Sequence, residues 1–202
     1  MVEQQQILSR FILAPSLQYD QSHEDRIRQH WNASHPFKQA AVLILLVRRN
    51  NGFNVVLTRR AEHLKHHPGQ IAFPGGRFEP TDGDLISTAL RETFEETNII
   101  CHRHDVLGNL PALPTVSGYM VTPFIATINP DYIAIPDPNE VDMIFEAPLN
   151  HLLNPDNIRQ HKFLINGKNH HVYNIPYEGY PIWGATAQMI KLLSDQIWDD
   201  NL

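Results

Sequence analysis

The sequence is poor in cysteine and in positive charge, and each shortage excludes some classes of protein function. Cys101 is the only cysteine among 202 residues. A disulfide framework or a thiolate metal site within one chain is therefore excluded, and we expect this thiol to be a small buried apolar group. The 16 lysine and arginine residues are outnumbered by 22 aspartate and glutamate residues, which gives a formal net charge of −6. Such a chain has no general attraction for nucleic acid, although a small phosphate ester fits it if a divalent cation reverses the local field.

Long apolar runs and export signals are also missing. The longest apolar run, residues 40–47, is far shorter than the about 20 residues that cross a bilayer. Residues 1–6 lack the basic and apolar regions of a signal peptide, and the last four residues are no peroxisomal address. We therefore predict a cytoplasmic protein without a membrane partner.

The order of the predicted elements indicates the α+β class. We expect a helical extension over residues 1–36, with helices at 5–13 and 22–31, and a single domain over residues 37–202. Apolar patterning in that domain predicts strands, at residues 40–47, 53–58, 99–110, 120–128, 141–145, 162–164 and 170–175. Helices are predicted at residues 85–97, directly after Pro148, and at 185–197. The proline- and glycine-rich loop at residues 61–80 is long enough to suggest a functional loop.

The helix at residues 85–97 has an unusual cluster of acidic residues. It begins after Asp84 as N-cap and ends at Asn98, which tolerates the left-handed conformation. At 100° per residue one half of the helix is apolar, formed by Leu85, Ile86, Ala89, Leu90, Thr93, Phe94 and Thr97. Glu92, Glu95 and Glu96 lie along one edge of that half, where they repel each other by a few tenths of a kcal/mol per pair. A solvated acidic face is one interpretation; a site for a hard divalent cation is the other.

Together, the loop and the helix resemble the Nudix box, Gly-x5-Glu-x7-Arg-Glu-U-x-Glu-Glu-x-Gly-U, where U is bulky and apolar. The matching residues are Gly76 and Arg91-Glu92-Thr93-Phe94-Glu95-Glu96-Thr97-Asn98-Ile99. The spacing from Gly76 to Arg91 is one residue longer than in the box, and Asp82 or Asp84 replaces the early glutamate. Thr93 replaces an apolar residue and Asn98 the final glycine. The resemblance implies an α/β/α sandwich around a mixed β-sheet, and metal-dependent hydrolysis of a nucleoside diphosphate linked to another group.

A second motif resembles the signature of the coenzyme A pyrophosphatases within that superfamily. It runs from Leu57-Thr58-Arg59-Arg60-Ala61 through Lys65 and Gly69 to Phe73-Pro74-Gly75-Gly76. Lys65 stands where the signature has an arginine. The resemblance implies that the substrate is coenzyme A or a derivative, a small-molecule nucleotide, and that five residues bind it: Arg60, Lys65, Gly69, Phe73 and Gly75.

The resemblance also implies the catalytic roles. Glu92, Glu95, Glu96 and the Gly76 carbonyl would hold Mg²⁺ or Mn²⁺, and Arg91 would orient a catalytic glutamate by a salt bridge. The general base is Glu92 or Glu140, and Glu140 is alternatively a metal ligand.

Several alternatives remain open from the sequence. One is a related hydrolase acting on ADP-ribose, NADH or another nucleoside diphosphate derivative. Others are a non-catalytic Nudix-like nucleotide binder and a structural protein with an acidic helix. The clustered His63, His66 and His67 lack the spacing of a zinc site, so we expect surface or core histidines. The sequence is compatible with a monomer or a homodimer.

Overall fold

The structure is a computed structural model that describes residues 36–165 and 168–198. The helices predicted at residues 5–13 and 22–31, and the turn predicted at Asn166 and Gly167, lie outside the described residues. None of the helices in the described ranges is long and apolar enough to span a bilayer.

Strands and helices alternate irregularly along the described chain. The strands are β1 (Lys38–Arg49), β2 (Gly52–Arg60), β3 (Ile71–Ala72), β4 (Gly75–Arg77), β5 (Val106–Asn109), β6 (Leu113–Pro114), β7 (Tyr119–Ile128), β8 (Val141–Pro148), β9 (Arg159–Ile165), β10 (Lys168–Tyr177) and β11 (Tyr180–Trp183). The helices are α1 (Leu85–Thr97), α2 (Leu149–Leu152) and α3 (Ala185–Trp198).

A mixed sheet forms the centre of the molecule, in the order β3-β2-β1-β7-β5. Strands β1 and β7 are parallel, whereas β1 pairs with β2 and with β4 in antiparallel fashion. Strand β8 pairs with β2, and β6 with β7. A second, antiparallel sheet has the order β11-β10-β9. The sheet that carries β1 therefore mixes both strand directions, as the predicted fold class requires.

Strand β1 is apolar on both faces because the sheet is covered on both faces. Alternate residues point to opposite sides of a strand. Ala41, Leu43, Leu45 and Val47 pack in one core with Ala89 of α1. Ile44 and Leu46 pack in the other core with α2 and α3. The helices thus enclose the mixed sheet, and the predicted α+β sandwich is confirmed.

Helix α1 ends where the sequence predicts. The Asp84 side chain accepts a hydrogen bond from the Ser87 amide at 2.9 Å, and Asn98 adopts the left-handed conformation with φ 57°. The apolar half of the helix was predicted less well. Phe94 is 49% exposed, whereas Glu96 is buried.

The prediction of one strand over residues 99–110 is wrong. Residues 103–105 form a 3-10 turn, and β5 covers only residues 106–109. Ile99 is buried but Ile100 is 67% exposed. Two adjacent isoleucines therefore produced an apolar signal although only one of them belongs to the core.

Candidate active site

The two glycines of β4 bring the backbone close to both β1 and α1. Gly76 pairs with Ala41, and Gly75 has φ +147°, a conformation that favours glycine. A Cβ atom on Gly75 would lie 2.3 Å from the Ala41 carbonyl oxygen, and one on Gly76 would lie 2.5 Å from the carboxyl carbon of Glu92. Glycine at both positions therefore lets the loop close directly over the acidic face of α1.

Glu96 of α1 is a buried carboxylate, with 4% of its surface exposed. It accepts a hydrogen bond from the Gly75 amide, with an N···O distance of 3.1 Å. Burial raises the pKa of Glu96 to about 8; the Gly75 amide and the Arg60 charge oppose that rise, whereas the Glu140 charge adds to it. A carboxylate in this position is costly unless a cation compensates its charge.

Glu92 and Glu95 lie on the more open side of the same helix. The Glu92 side chain is 16% exposed and that of Glu95 is 55% exposed. Burial raises the pKa of Glu92, the Arg91 charge opposes the rise, and the Glu95 and Glu140 charges add to it. Several carboxylates thus share one region of negative charge.

Arg91 connects these glutamates to the loop before the helix. Its Nη1 lies 3.0 Å from Glu92 Oε1 and 2.8 Å from Glu95 Oε2. On the other side it donates two hydrogen bonds to Asp82, from Nε at 2.6 Å and from Nη2 at 3.0 Å. The predicted salt bridge between Arg91 and a glutamate of the helix is therefore present.

Asp82, rather than Asp84, is the aspartate that pairs with Arg91. Its side chain is 3% exposed and accepts further hydrogen bonds from the Thr88 hydroxyl at 2.8 Å and from the Glu79 amide at 2.9 Å. Arg91 holds the pKa of Asp82 well below its usual range. Asp84 instead caps α1 and pairs with Arg103. The spacing of the motif could not distinguish Asp82 from Asp84, because it does not show which side chain points toward Arg91.

Glu140 approaches the site from the loop before β8. Its carbonyl accepts a hydrogen bond from the Ala61 amide at 2.9 Å. The same loop is joined to the end of α1 by the Asp137 amide, which donates to the Glu96 carbonyl at 3.0 Å. The charge of Glu140 acts on the pKa of both Glu92 and Glu96. The loop that carries Glu140 is therefore joined by its backbone to the end of the helix that carries the other three predicted glutamates.

Only some of the residues predicted to bind substrate lie near the glutamates of α1. Arg60, the last residue of β2, is half-buried and near enough for its charge to lower the pKa of Glu96. Gly69 donates its amide hydrogen to the Arg60 carbonyl at 3.1 Å. Phe73 is buried in the core, so it anchors the loop that precedes α1 and is not exposed to a substrate. Lys65 is exposed on the surface of the loop over residues 61–70.

The histidine cluster and the cysteine show no sign of a second centre. In the described part of the chain, no three His, Cys, Asp or Glu side chains are arranged as a preformed metal cluster. His63 binds the Asn139 carbonyl through Nε2 at 3.1 Å, a contact with no signal in the sequence. Burial raises the pKa of Cys101 to about 12, so its thiolate, the nucleophilic form, is scarce at neutral pH.

The donor chemistry of the site nevertheless suits a hard divalent cation. Such ions take carboxylate and carbonyl oxygens, which Glu92, Glu95, Glu96 and Gly76 supply. The buried charge of Glu96 supports the fit, because a cation would offset the burial that raises its pKa. Arg91 already contacts two of these carboxylates, so a bound cation would share them with a guanidinium.

Comparison with known proteins agrees with this geometry. The model of the NUDIX domain family matches residues 37–166. A protein of Yersinia pestis (strain Pestoides F), named uncharacterized Nudix hydrolase NudL, is 41% identical over 196 residues, covering 95% of this chain and 96% of its own. One of the same name from Enterobacter sp. (strain 638) is 41% identical over 160 residues, covering 79% and 83%. The crystal structure of a MutT/nudix family protein from Enterococcus faecalis superposes with TM-score 0.50 and 16% identity, covering 82% of this chain and 64% of that one.

The α+β sandwich and the loop–helix arrangement are those expected of a phosphoanhydride hydrolase of the Nudix type. The chain belongs to the NUDIX domain family. It is a Nudix hydrolase, a pyrophosphohydrolase that acts on nucleoside diphosphate derivatives, which are small-molecule nucleotide substrates. Nudix hydrolases generally use divalent metal cations.

Proposed function

We propose that this hydrolase cleaves the pyrophosphate bond of coenzyme A or its derivatives, giving 3′,5′-ADP and 4′-phosphopantetheine or its acylated form. The observation that carries the proposal is the position of Arg60, the last residue of β2, which pairs with Val141 directly after Glu140. No ion pair of Arg60 occurs among the described residues, so its guanidinium is available to a phosphate. Arg60, which would contact the substrate phosphate, would then lie next to the glutamates that would bind the cation.

The proposed metal site consists of Glu92, Glu95, Glu96 and the Gly76 carbonyl, and the cation is Mg²⁺ or Mn²⁺. Such a cation, when bound, neutralises phosphate charge and makes a water more acidic. Gly76 leaves room for close approach, since a side chain there would collide with Glu92.

The protein's own residues would orient the reacting groups. Arg91 fixes the Glu92 and Glu95 carboxylates through its two contacts on α1, while Asp82 fixes Arg91. The attacking water would give its proton to Glu92 or to Glu140. Glu92 is held by Arg91, whereas Glu140 reaches the site on a separate loop and could instead contribute a metal ligand.

The catalytic domain is proposed to be residues 37–202, preceded by an extension over residues 1–36. The family model begins at residue 37, whereas the alignment with the Yersinia pestis relative covers 95% of this chain. The uncovered 5% of 202 residues is about 10 residues, fewer than the extension contains. That relative therefore has a counterpart to part of the extension.

A second candidate substrate class is another nucleoside diphosphate derivative, such as ADP-ribose or NADH. It is favoured by Lys65, which replaces an arginine of the coenzyme A signature and is exposed, without a described contact to the site. Lysine is a point charge and lacks the paired donors that arginine offers to a phosphate.

A product assay tests the proposal. The purified protein is given coenzyme A, ADP-ribose and NADH separately, with Mg²⁺ and with Mn²⁺, and the products are separated by chromatography. We expect 3′,5′-ADP and 4′-phosphopantetheine from coenzyme A, with a higher kcat/KM than for the other two substrates. A higher value for ADP-ribose or NADH would contradict the coenzyme A proposal and leave the glutamate site standing. No turnover of the three would point to a different nucleoside diphosphate derivative.

A further inference from the structure

A side-chain contact joins the loop after β2 to the loop before β8. Nε2 of His63 lies 3.1 Å from the Asn139 carbonyl oxygen, 76 residues further along the chain. A carbonyl oxygen only accepts, so Nε2 carries the proton and donates it. Asn139 directly precedes Glu140, and the contact therefore acts on the backbone that carries this carboxylate.

A backbone hydrogen bond runs beside this contact. The Ala61 amide donates to the Glu140 carbonyl at 2.9 Å. Ala61 is buried, with 3% exposure, so this end of the loop is fixed to the core. His63 and Ala61 thus hold two consecutive carbonyls, those of Asn139 and Glu140.

The other end of the Glu140 loop is held by α1 and by its own turn. The Asp137 amide donates to the Glu96 carbonyl, and the Glu140 amide to the Asp137 carbonyl, both at 3.0 Å. The Asp137 carboxylate accepts from the Asn139 amide at 2.9 Å. Glu140 therefore lies between a fixed helix end and the start of β8, where Val141 pairs with Arg60 and the carbonyls of Asn139 and Glu140 are held by His63 and Ala61.

We propose that His63 is a positioning residue that holds Glu140 at the active site, so that the loop over residues 61–70 and the Glu140 carboxylate act as one unit. The loop over residues 61–70, which carries Lys65, would then have two functions. It would contact the substrate, and it would position the Glu140 carboxylate, which acts as general base or as metal ligand. This inference rests on the proposed function, because it requires Glu140 to take part in the reaction.

The size of the effect follows from the contact. A single neutral hydrogen bond from an exposed side chain such as His63 has a modest net effect. Its loss should lower kcat about 3- to 10-fold. KM should change less than about twofold, because His63 is not proposed to touch the substrate.

A double-mutant cycle between His63 and Glu140 tests the inference. The variants are His63→Ala, Glu140→Gln and the double variant, measured by single turnover at high enzyme concentration so that slow variants remain measurable. His63→Gln and His63→Asn form a matched pair, because the Gln amide nitrogen reaches the position of Nε2 and the shorter Asn amide does not. We expect His63→Gln to restore kcat and His63→Asn to behave like His63→Ala.

The cycle separates a positioning role from a structural one. If His63 acts through Glu140, its removal lowers the rate in the parent and has no further effect in the Glu140→Gln background. An equal loss in both backgrounds, or no loss in the parent, overturns the inference. A Glu140→Gln variant with unchanged rate overturns it as well and removes Glu140 from the mechanism. Hydrolysis of coenzyme A by the parent protein would stand in each of these cases.

Discussion

At the scale of single residues, Glu96 shows a conflict between stability and function. The residue is 4% exposed, and burial raises the pKa of its carboxyl group to about 8. The sequence indicated part of this conflict, because the helical wheel placed Glu96 at the border of the apolar half. The Gly75 amide that contacts the carboxylate could not be predicted, since it belongs to the short strand β4, 21 residues earlier.

We predict that Glu96→Gln abolishes most of the activity without harming the fold. Gln keeps an oxygen that accepts from the Gly75 amide and cannot ionise in the buried position, so the free energy of unfolding should stay level or rise. Loss of a cation ligand should lower kcat by about 100-fold or more. Urea unfolding and a turnover assay measure the two effects. Asp195→Asn, which removes an exposed carboxylate of α3, should change neither; near-normal turnover of Glu96→Gln would contradict the metal assignment.

Asp82 gives a second prediction at this scale. Asp82→Asn keeps the shape of the side chain but leaves Arg91 without the buried partner that receives two of its hydrogen bonds. We expect the free energy of unfolding to fall by about 2–3 kcal/mol. We also expect kcat to fall at least about 10-fold, because Arg91 no longer holds the Glu92 carboxylate in place. Denaturant unfolding and steady-state kinetics measure these changes.

Asp84→Asn is the matched control for Asp82→Asn. Asparagine caps a helix about as well as aspartate, and Asp84 contacts Arg103 at the surface instead of Arg91. Its kcat should remain within about twofold of the parent. Equal losses of kcat in the two variants would contradict the assignment of Asp82 as the anchor of Arg91.

At the scale of elements, the sequence predicted those with a long regular pattern. Strands β1, β2 and β7 and helix α1 are each nine or more residues long and contain an apolar run or stripe that the sequence displays. Strands β3, β4 and β6 have two or three residues, too few to show a period of two. They form because neighbouring strands offer hydrogen bonds, and β4 is the one that shapes the site.

The C-cap of α1 yields a prediction for that element. Asn98 has φ 57° and ψ 12°, and its amide donates to the Phe94 carbonyl at 2.8 Å. Asn98→Gly, which restores the glycine of the Nudix box, should raise the free energy of unfolding by about 0.5 kcal/mol. Asn98→Val should lower it by at least about 1 kcal/mol, because a β-branched residue is strained there. Thermal and urea unfolding measure both; equal stability of the two variants would contradict the left-handed cap.

At the scale of the whole molecule, the site depends on contacts between distant parts of the chain. Arg60 ends β2, and its pairing partner Val141 follows Glu140 directly. The parallel pairing of β1 with β7 sets the central order of the sheet, and β8 joins on the other side of β1, beside β2. Local patterning predicted these strands but not their neighbours. Family resemblance indicated the residues, whereas the fold shows that the loop before β8, which carries Glu140, is hydrogen-bonded to the end of α1.

Glu146 of β8 links several of these distant parts. It accepts hydrogen bonds from Arg49 of β1 at 2.5 and 3.0 Å, from Asn54 of β2 at 2.9 Å and from the Tyr132 hydroxyl at 2.8 Å. Arg49 lowers the pKa of Glu146 to about 2, with burial opposing that change. The folded protein therefore binds the proton of Glu146 more weakly than the unfolded chain does.

This network predicts how global stability depends on pH. Because the folded pKa of Glu146 lies below its ordinary value of 4.5, its stabilisation is complete above that value and is lost as pH falls toward about 2. Glu146→Gln should lower the free energy of unfolding by about 2 kcal/mol at pH 7, and the difference from the parent should shrink between about pH 4.5 and 2. Urea unfolding across this range measures it. Asp131→Asn, which removes an exposed carboxylate outside the network, should show no such trend; a constant difference for Glu146→Gln would contradict the ionic role of this residue.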